Sequence, residues 1–131
     1  MSKKRTSVLI VDDNDIMRSL LRGMLRGDDY EVVGEARNGN AAVELAGRTH
    51  PDIICMDVMM PEMDGLAALG AIKASHPQVD VVMITGNADA GTVQESIQNG
   101  AAGFIGKPFN AAKVLDTLAR VVAHRRPKAR T

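Results

Sequence analysis

Three continuous apolar runs punctuate the chain: Val8-Leu9-Ile10-Val11, Ile53-Ile54-Cys55-Met56 and Val81-Val82-Met83-Ile84. Each is too short for a buried helix and is bounded by polar or turn residues, as expected of a strand covered on both faces. Shorter runs at Val32-Val33 and Gly103-Phe104-Ile105 predict two more strands. Between the runs the spacing changes to three and four. Met17, Leu20, Leu21, Met24 and Leu25 form one helical face, with Asn14 or Asp13 as cap and Gly27 closing the helix. The Asn38-Gly39 pair reads as a turn, followed by a helix from Ala41 to Arg48 that stops at His50-Pro51. Leu66, Leu69 and Ile72 mark a third helix, broken at Pro77. Val93 and Ile97 mark a fourth, diluted by Gly91 and polar neighbours. Asn110 caps a fifth, with Val114, Leu115, Leu118, Val121 and Val122 on one side and Pro127 beyond. Five strands alternating with five helices predict a doubly wound α/β domain with a parallel sheet and right-handed crossovers. Strand order does not follow from the spacing.

Composition narrows the picture. The 131 residues suffice for one domain with its own core, and 45% are apolar, yet only Tyr30, Phe104 and Phe109 are aromatic. Sixteen basic residues balance sixteen acidic ones. Seven of the basic residues, Lys3, Lys4, Arg5, Arg125, Arg126, Lys128 and Arg130, lie at the two ends, leaving nine against sixteen acids in the body. An acidic body argues against direct nucleic-acid binding by this domain, and the basic ends read as solvated termini. The domain is expected over 7–123, between a basic lead at 1–6 and a basic tail at 124–131. The single Cys55 excludes an intrachain disulfide and reads as a core residue. Neither a signal-peptide core nor a membrane-spanning run is present, so a cytoplasmic setting without membrane contact is expected.

The chemistry gathers where strands end. Strand one runs into Asp12-Asp13, strand three into Asp57, strand four into Thr85, and Lys107 follows strand five. Each has an ordinary explanation alone: a helix cap for Asp12 or Asp13, a cap on the following loop for Asp57, a strand-end hydroxyl for Thr85, a solvated charge for Lys107. In a parallel sheet, however, all of them converge on one edge, where open α/β folds bind their ligands. Carboxylates brought together repel unless a cation lies between them, and oxygen donors suit a hard ion such as Mg²⁺. A lysine and a hydroxyl opposite would face an anion with several oxygens, which describes a phosphoryl group.

On these residues, together with Met60-Pro61-Glu62-Met63-Asp64-Gly65 and Lys107-Pro108-Phe109, the sequence resembles a response-regulator receiver domain of bacterial two-component signalling from about Ser7 to Ala123. The resemblance implies a flavodoxin-like (βα)5 fold and a phosphoacceptor switch, a chemotaxis-type single-domain regulator. Asp57 would accept a phosphoryl group from a sensor histidine kinase or phosphotransfer protein. Mg²⁺ would be held by Asp13, Asp57 and the Met59 carbonyl, with Asp12 acting through water. Lys107 would pair with the phosphoryl oxygens, Thr85 would reorient toward them, and Phe104 would be the switch aromatic where many relatives have tyrosine. A cis Lys107-Pro108 peptide is implied as well. The responding surface would be helix four, strand five and helix five, meeting a downstream output protein as a monomer or a phosphorylation-dependent dimer. Met59 and Asn87 would flank the attacking water without supplying a general base. The protein would not be an enzyme beyond catalysing its own phosphorylation and dephosphorylation. Two other readings remain: a receiver excised from a longer DNA-binding regulator, and a metal-dependent phosphohydrolase. The second is disfavoured because Met59 stands where such enzymes carry their second acid.

Overall fold

The apolar runs lie side by side in one sheet. The computed structural model describes residues 5–27, 29–60, 63–86 and 90–125. Its elements are β1 (Thr6–Val11), α1 (Asp15–Met24), β2 (Tyr30–Ala36), α2 (Gly39–Thr49), β3 (Ile53–Asp57), α3 (Gly65–Ser75), β4 (Asp80–Thr85), α4 (Ala90–Gln98), β5 (Gly103–Gly106) and α5 (Ala111–His124). All five strands are parallel, in the order β2-β1-β3-β4-β5. The chain steps outward from β1 to β2, then crosses back to β3. The direction of winding therefore reverses between β1 and β3, which is where ligands bind in such sheets.

Alternation along the strands sorts the core into two layers. Leu9, Val11, Ile54, Met56 and Met83 face Ala42 and Ala46 of α2 and Leu69 and Ile72 of α3. Val8, Ile10, Ile53, Cys55, Val82 and Ile84 face Leu21 of α1 and Val114, Leu118 and Val121 of α5. Cys55 is wholly buried, and burial pushes its thiol up to about 12, so it behaves as a small apolar residue.

Several expectations need correction. Asn38-Gly39 is a helix start: Asn38 Oδ1 accepts from the Ala41 amide at 2.8 Å, and Gly39 opens α2. A Cβ on Gly39 would sit 2.7 Å from the Met63 carbonyl oxygen, so the residue is fitted to close approach. Strand β2 runs past Val33 to Ala36, because a register shift opposite Val8 and Leu9 absorbs one extra residue. Asn14 is the cap of α1, while Gly27, at φ 141°, lies past the cap position taken by Leu25. Leu20, Leu115 and Ile97 are exposed, although they fit apolar faces in the sequence. A helix lying on a sheet buries a narrow stripe, and Leu21 and Leu118 occupy it. On α4 the residue turned inward is Ser96, whose hydroxyl donates to the Thr92 carbonyl at 2.9 Å.

The basic C-terminal stretch is not wholly solvated. Arg125 Nη1 donates to the Asp52 carbonyl and to Asp80 Oδ2, both at 2.7 Å, and Nη2 reaches Asp52 Oδ1 at 3.4 Å. Asp52 Oδ2 in turn accepts from the Ser7 amide at 2.9 Å. One guanidinium thus ties the end of α5 to the amino-terminal ends of β3 and β4. Lys3, Lys4, Arg126, Lys128 and Arg130 lie outside the described residues. Arg125→Ala is expected to lower stability by about 1–2 kcal/mol, the scale for partly shielded charge-assisted hydrogen bonds. Urea unfolding reads the change, and an unmoved midpoint would show that the clasp adds nothing.

Candidate functional site

Strand register builds the site. Val11 pairs with Met56, so the next residues, Asp12 and Asp57, emerge beside each other at the carboxyl edge. Asp12 is held on several sides. Its amide donates to the Ala36 carbonyl at 3.1 Å, and its Oδ1 accepts from the Asn14 amide at 2.9 Å. Asp57 Oδ1 accepts from the Met59 amide at 3.3 Å. Carboxylate oxygens of Asp12, Asp13 and Asp57 lie within 4.8 Å of one another, Asp12 and Asp57 buried and Asp13 exposed.

Lys107 enters from the far side. Its Nζ stands 3.6 Å from Asp12 Oδ2 and 3.6 Å from Asp57 Oδ2, and its amide donates to the Thr85 carbonyl at 2.7 Å. The Lys107-Pro108 peptide is cis. Thr85 is fully buried at the end of β4, opposite Gly106. The structure thus brings Asp12, Asp13, Asp57 and Lys107 together, with Thr85 on the adjoining strand.

The remaining expected residues sit differently. The Met59 side chain is 66% exposed beside the acids. Phe104, half-buried, is across from Met83 on β4. With Thr117, Val121 and His124 it lines a cavity of about 400 Å³ between β5 and α5. Asn87, Pro61 and Glu62 lie outside the described residues.

Gly65 is a residue to which sequence reasoning assigned no role. A Cβ there would lie 2.3 Å from the Asp57 carbonyl oxygen, and the Gly65 amide donates to the Val58 carbonyl at 2.8 Å. Gly65, the first residue of α3, therefore packs directly against the Asp57–Val58 backbone. Asp64 caps α3 by accepting from the Ala67 amide at 2.8 Å, but nothing local says that the neighbour of Gly65 is the Asp57 backbone.

Electrostatics point to a cation. Three carboxylates face one ammonium, and all the donors are hard oxygens, so a divalent cation of the Mg²⁺ type fits the set. Without one, the Asp57 carboxyl is raised above the ordinary aspartate range. Burial is the largest cause and the Asp12 charge the next, while Lys107 and the Met59 amide pull the other way. A carboxyl raised on folding stabilises the protein below its unfolded value, and that contribution is lost as pH rises through the folded value. At neutral pH without metal, ionised Asp57 is thus a net cost that Asp57→Asn removes. The metal-free variant is expected to melt above the native protein at pH 7, with the gap closing as pH falls toward 4. A lower Tm for the variant at pH 7 would contradict this electrostatic account.

Known proteins resemble this chain in sequence and in fold. A family model described as the response regulator receiver domain matches residues 8–119. The chain is 44% identical over 111 residues to the chemotaxis protein CheY of Listeria monocytogenes, covering 85% of this chain and 93% of that one. Among solved structures, the response regulator domain of Thermotoga maritima CheB superposes with a TM-score of 0.84 at 31% identity, covering 96% of this chain and 100% of that one. The CheX-CheY-BeF3-Mg+2 complex from Borrelia burgdorferi superposes with a TM-score of 0.86 at 30% identity, covering 89% of each chain.

Proposed function

The chain belongs to the response regulator receiver domain family, and on that premise we propose that it is a phosphoacceptor switch in which Asp57 takes a phosphoryl group from a histidine kinase or phosphotransfer protein. The observation that carries the reading is the convergence of three acids and one lysine on a single sheet edge. An Asp57 carboxylate oxygen bonds to phosphorus as the phosphorus–nitrogen bond of a phosphohistidine breaks, and the imidazole leaves with that electron pair. Asp13, Asp57 and the Met59 carbonyl would hold Mg²⁺, with Asp12 acting through water. When bound there, it would supply the positive charge that offsets repulsion between a carboxylate and an incoming phosphate.

The protein groups then act by position. Asp12 is fixed by Ala36 and Asn14, and so presents Oδ2 toward Lys107. Lys107 stands 3.6 Å from Asp57 Oδ2, suited to follow charge that moves onto phosphoryl oxygens. Thr85, buried on the adjoining strand, turns its hydroxyl toward the modified aspartate, and Phe104 shifts with it. The change reaches the surface formed by α4, β5 and α5, where exposed Ile97 and Leu115 offer apolar contact to an output protein. The Borrelia relative, solved with CheX, beryllofluoride and magnesium, supports both the metal and a protein partner.

Incubation with acetyl phosphate and Mg²⁺, followed by intact mass measurement, tests the proposal. One phosphoryl group per chain, confined to Asp57, is expected. Continuous turnover of a phosphate ester without a stable adduct would instead favour the hydrolase reading.

A further inference from the structure

A cation in the first turns of a helix opposes the macrodipole, so Arg18, four residues beyond the Asn14 cap, needs another reason to be there. Its side chain is 14% exposed, and each of its three guanidinium nitrogens has a partner. Nη1 donates to the Asp12 carbonyl at 2.6 Å, Nε donates to Glu35 Oε1 at 3.2 Å, and Nη2 pairs with Asp15. Glu35 is held from a second side by Arg22 Nε at 2.9 Å. The charge of Arg18 is thus already matched by acids outside the site. What it contributes to the site is a direction.

That direction bears on Asp13. The Asp12 carbonyl belongs to the peptide joining Asp12 to Asp13, so a bond to its oxygen sets the plane from which Asp13 departs. The other side of the same residue is fixed by the Asp12 amide on Ala36. Among the described residues the exposed Asp13 carboxylate has no hydrogen bond or ion pair of its own, yet it lies within the 4.8 Å grouping. Its placement is inherited from the backbone that Arg18 grips. We infer that Arg18 is a positioning residue for the cation site, holding the Asp12–Asp13 peptide so that both carboxylates face Asp57. This rests on the reading of the three acids as a Mg²⁺ site and adds the group that orients them.

A fork is required, because three acceptors lie in three directions and an ammonium at the end of a lysine cannot meet them together. Outer groups that orient ligands typically change metal affinity about 10–100-fold when removed. Arg18→Met keeps the stem and removes the donors. It is expected to weaken Mg²⁺ binding about 10-fold by calorimetric titration of the unphosphorylated protein. Arg18→Lys keeps the charge and is expected to lose several-fold. Arg22→Met removes the outer partner of Glu35 without touching the Asp12 carbonyl, and should bind Mg²⁺ as the native chain does.

Native affinity in a folded Arg18→Met protein would overturn the inference, as would full rescue by Arg18→Lys, which would make the effect one of charge. Equal weakening in Arg22→Met would overturn it too, pointing to a general loosening of α1. Should Arg18→Met fail to fold, Arg18→Lys against Arg22→Met decides. Failure of the native protein to bind Mg²⁺ would sink the reading of the acids themselves, an outcome distinct from all of these.

Discussion

Asp57→Asn is expected to abolish phosphoryl labelling by acetyl phosphate or phosphoramidate while leaving the fold intact. The amide matches the carboxylate in size, and the residue sits at the end of a strand whose other four members are apolar and buried, so packing has no reason to change. The lost property is the nucleophile. Asp12 and Asp13 cannot replace it: Asp12 Oδ1 is engaged by the Asn14 amide, and Asp13 stands outside the buried pair, on the exposed side of the grouping. Removal of a covalent nucleophile typically costs roughly 10³-fold or more, and labelling should fall to background by intact mass. Labelling that persisted at a neighbouring acid would place the acceptor elsewhere. The same variant should bind Mg²⁺ more weakly, since one anionic ligand has become neutral.

Lys107→Ala separates two jobs that the site performs. Its ammonium lies 3.6 Å from both Asp12 and Asp57, beyond ordinary hydrogen-bond length. Its removal increases the repulsion among the acids, and a divalent ion answers that repulsion. Mg²⁺ affinity should therefore stay the same or rise slightly. Transfer should slow, because charge moving onto phosphoryl oxygens loses its fixed partner. Loss of one such donor costs about 10²–10³-fold in comparable settings. The conformational response should fail even where some phosphorylation occurs, since nothing then draws the β5 end toward the modified aspartate. Hydrogen exchange over α4 and β5, with and without acetyl phosphate, reads that response. A loss of Mg²⁺ affinity as large as the loss of transfer would contradict this division of labour.

Much of this chain was legible before folding. Continuous apolar runs marked the strands, threes and fours marked the helices, and Asn14 and Asn110 announced helix starts, because period and capping are local properties of the backbone. Acids and a lysine at strand ends were visible for the same reason: a charge that interrupts an apolar run marks where the strand ends.

Tertiary structure decided what depends on neighbours distant in sequence. The order β2-β1-β3-β4-β5 put β1 beside β3 and thereby Asp12 beside Asp57, a pairing that no spacing encodes. Exposure of Leu20, Ile97 and Leu115 depends on how much of each helix the sheet covers. Arg125 left the tail for Asp52 and Asp80, and Arg18 reached back to the Asp12 carbonyl, because long cationic side chains are placed by the acceptors that fold around them. The raised Asp57 carboxyl arises from burial and a neighbouring acid 45 positions away in the chain. Local patterning sets which residues can form strands, helices and caps. Only packing sets which charges must share a space too small to hydrate them.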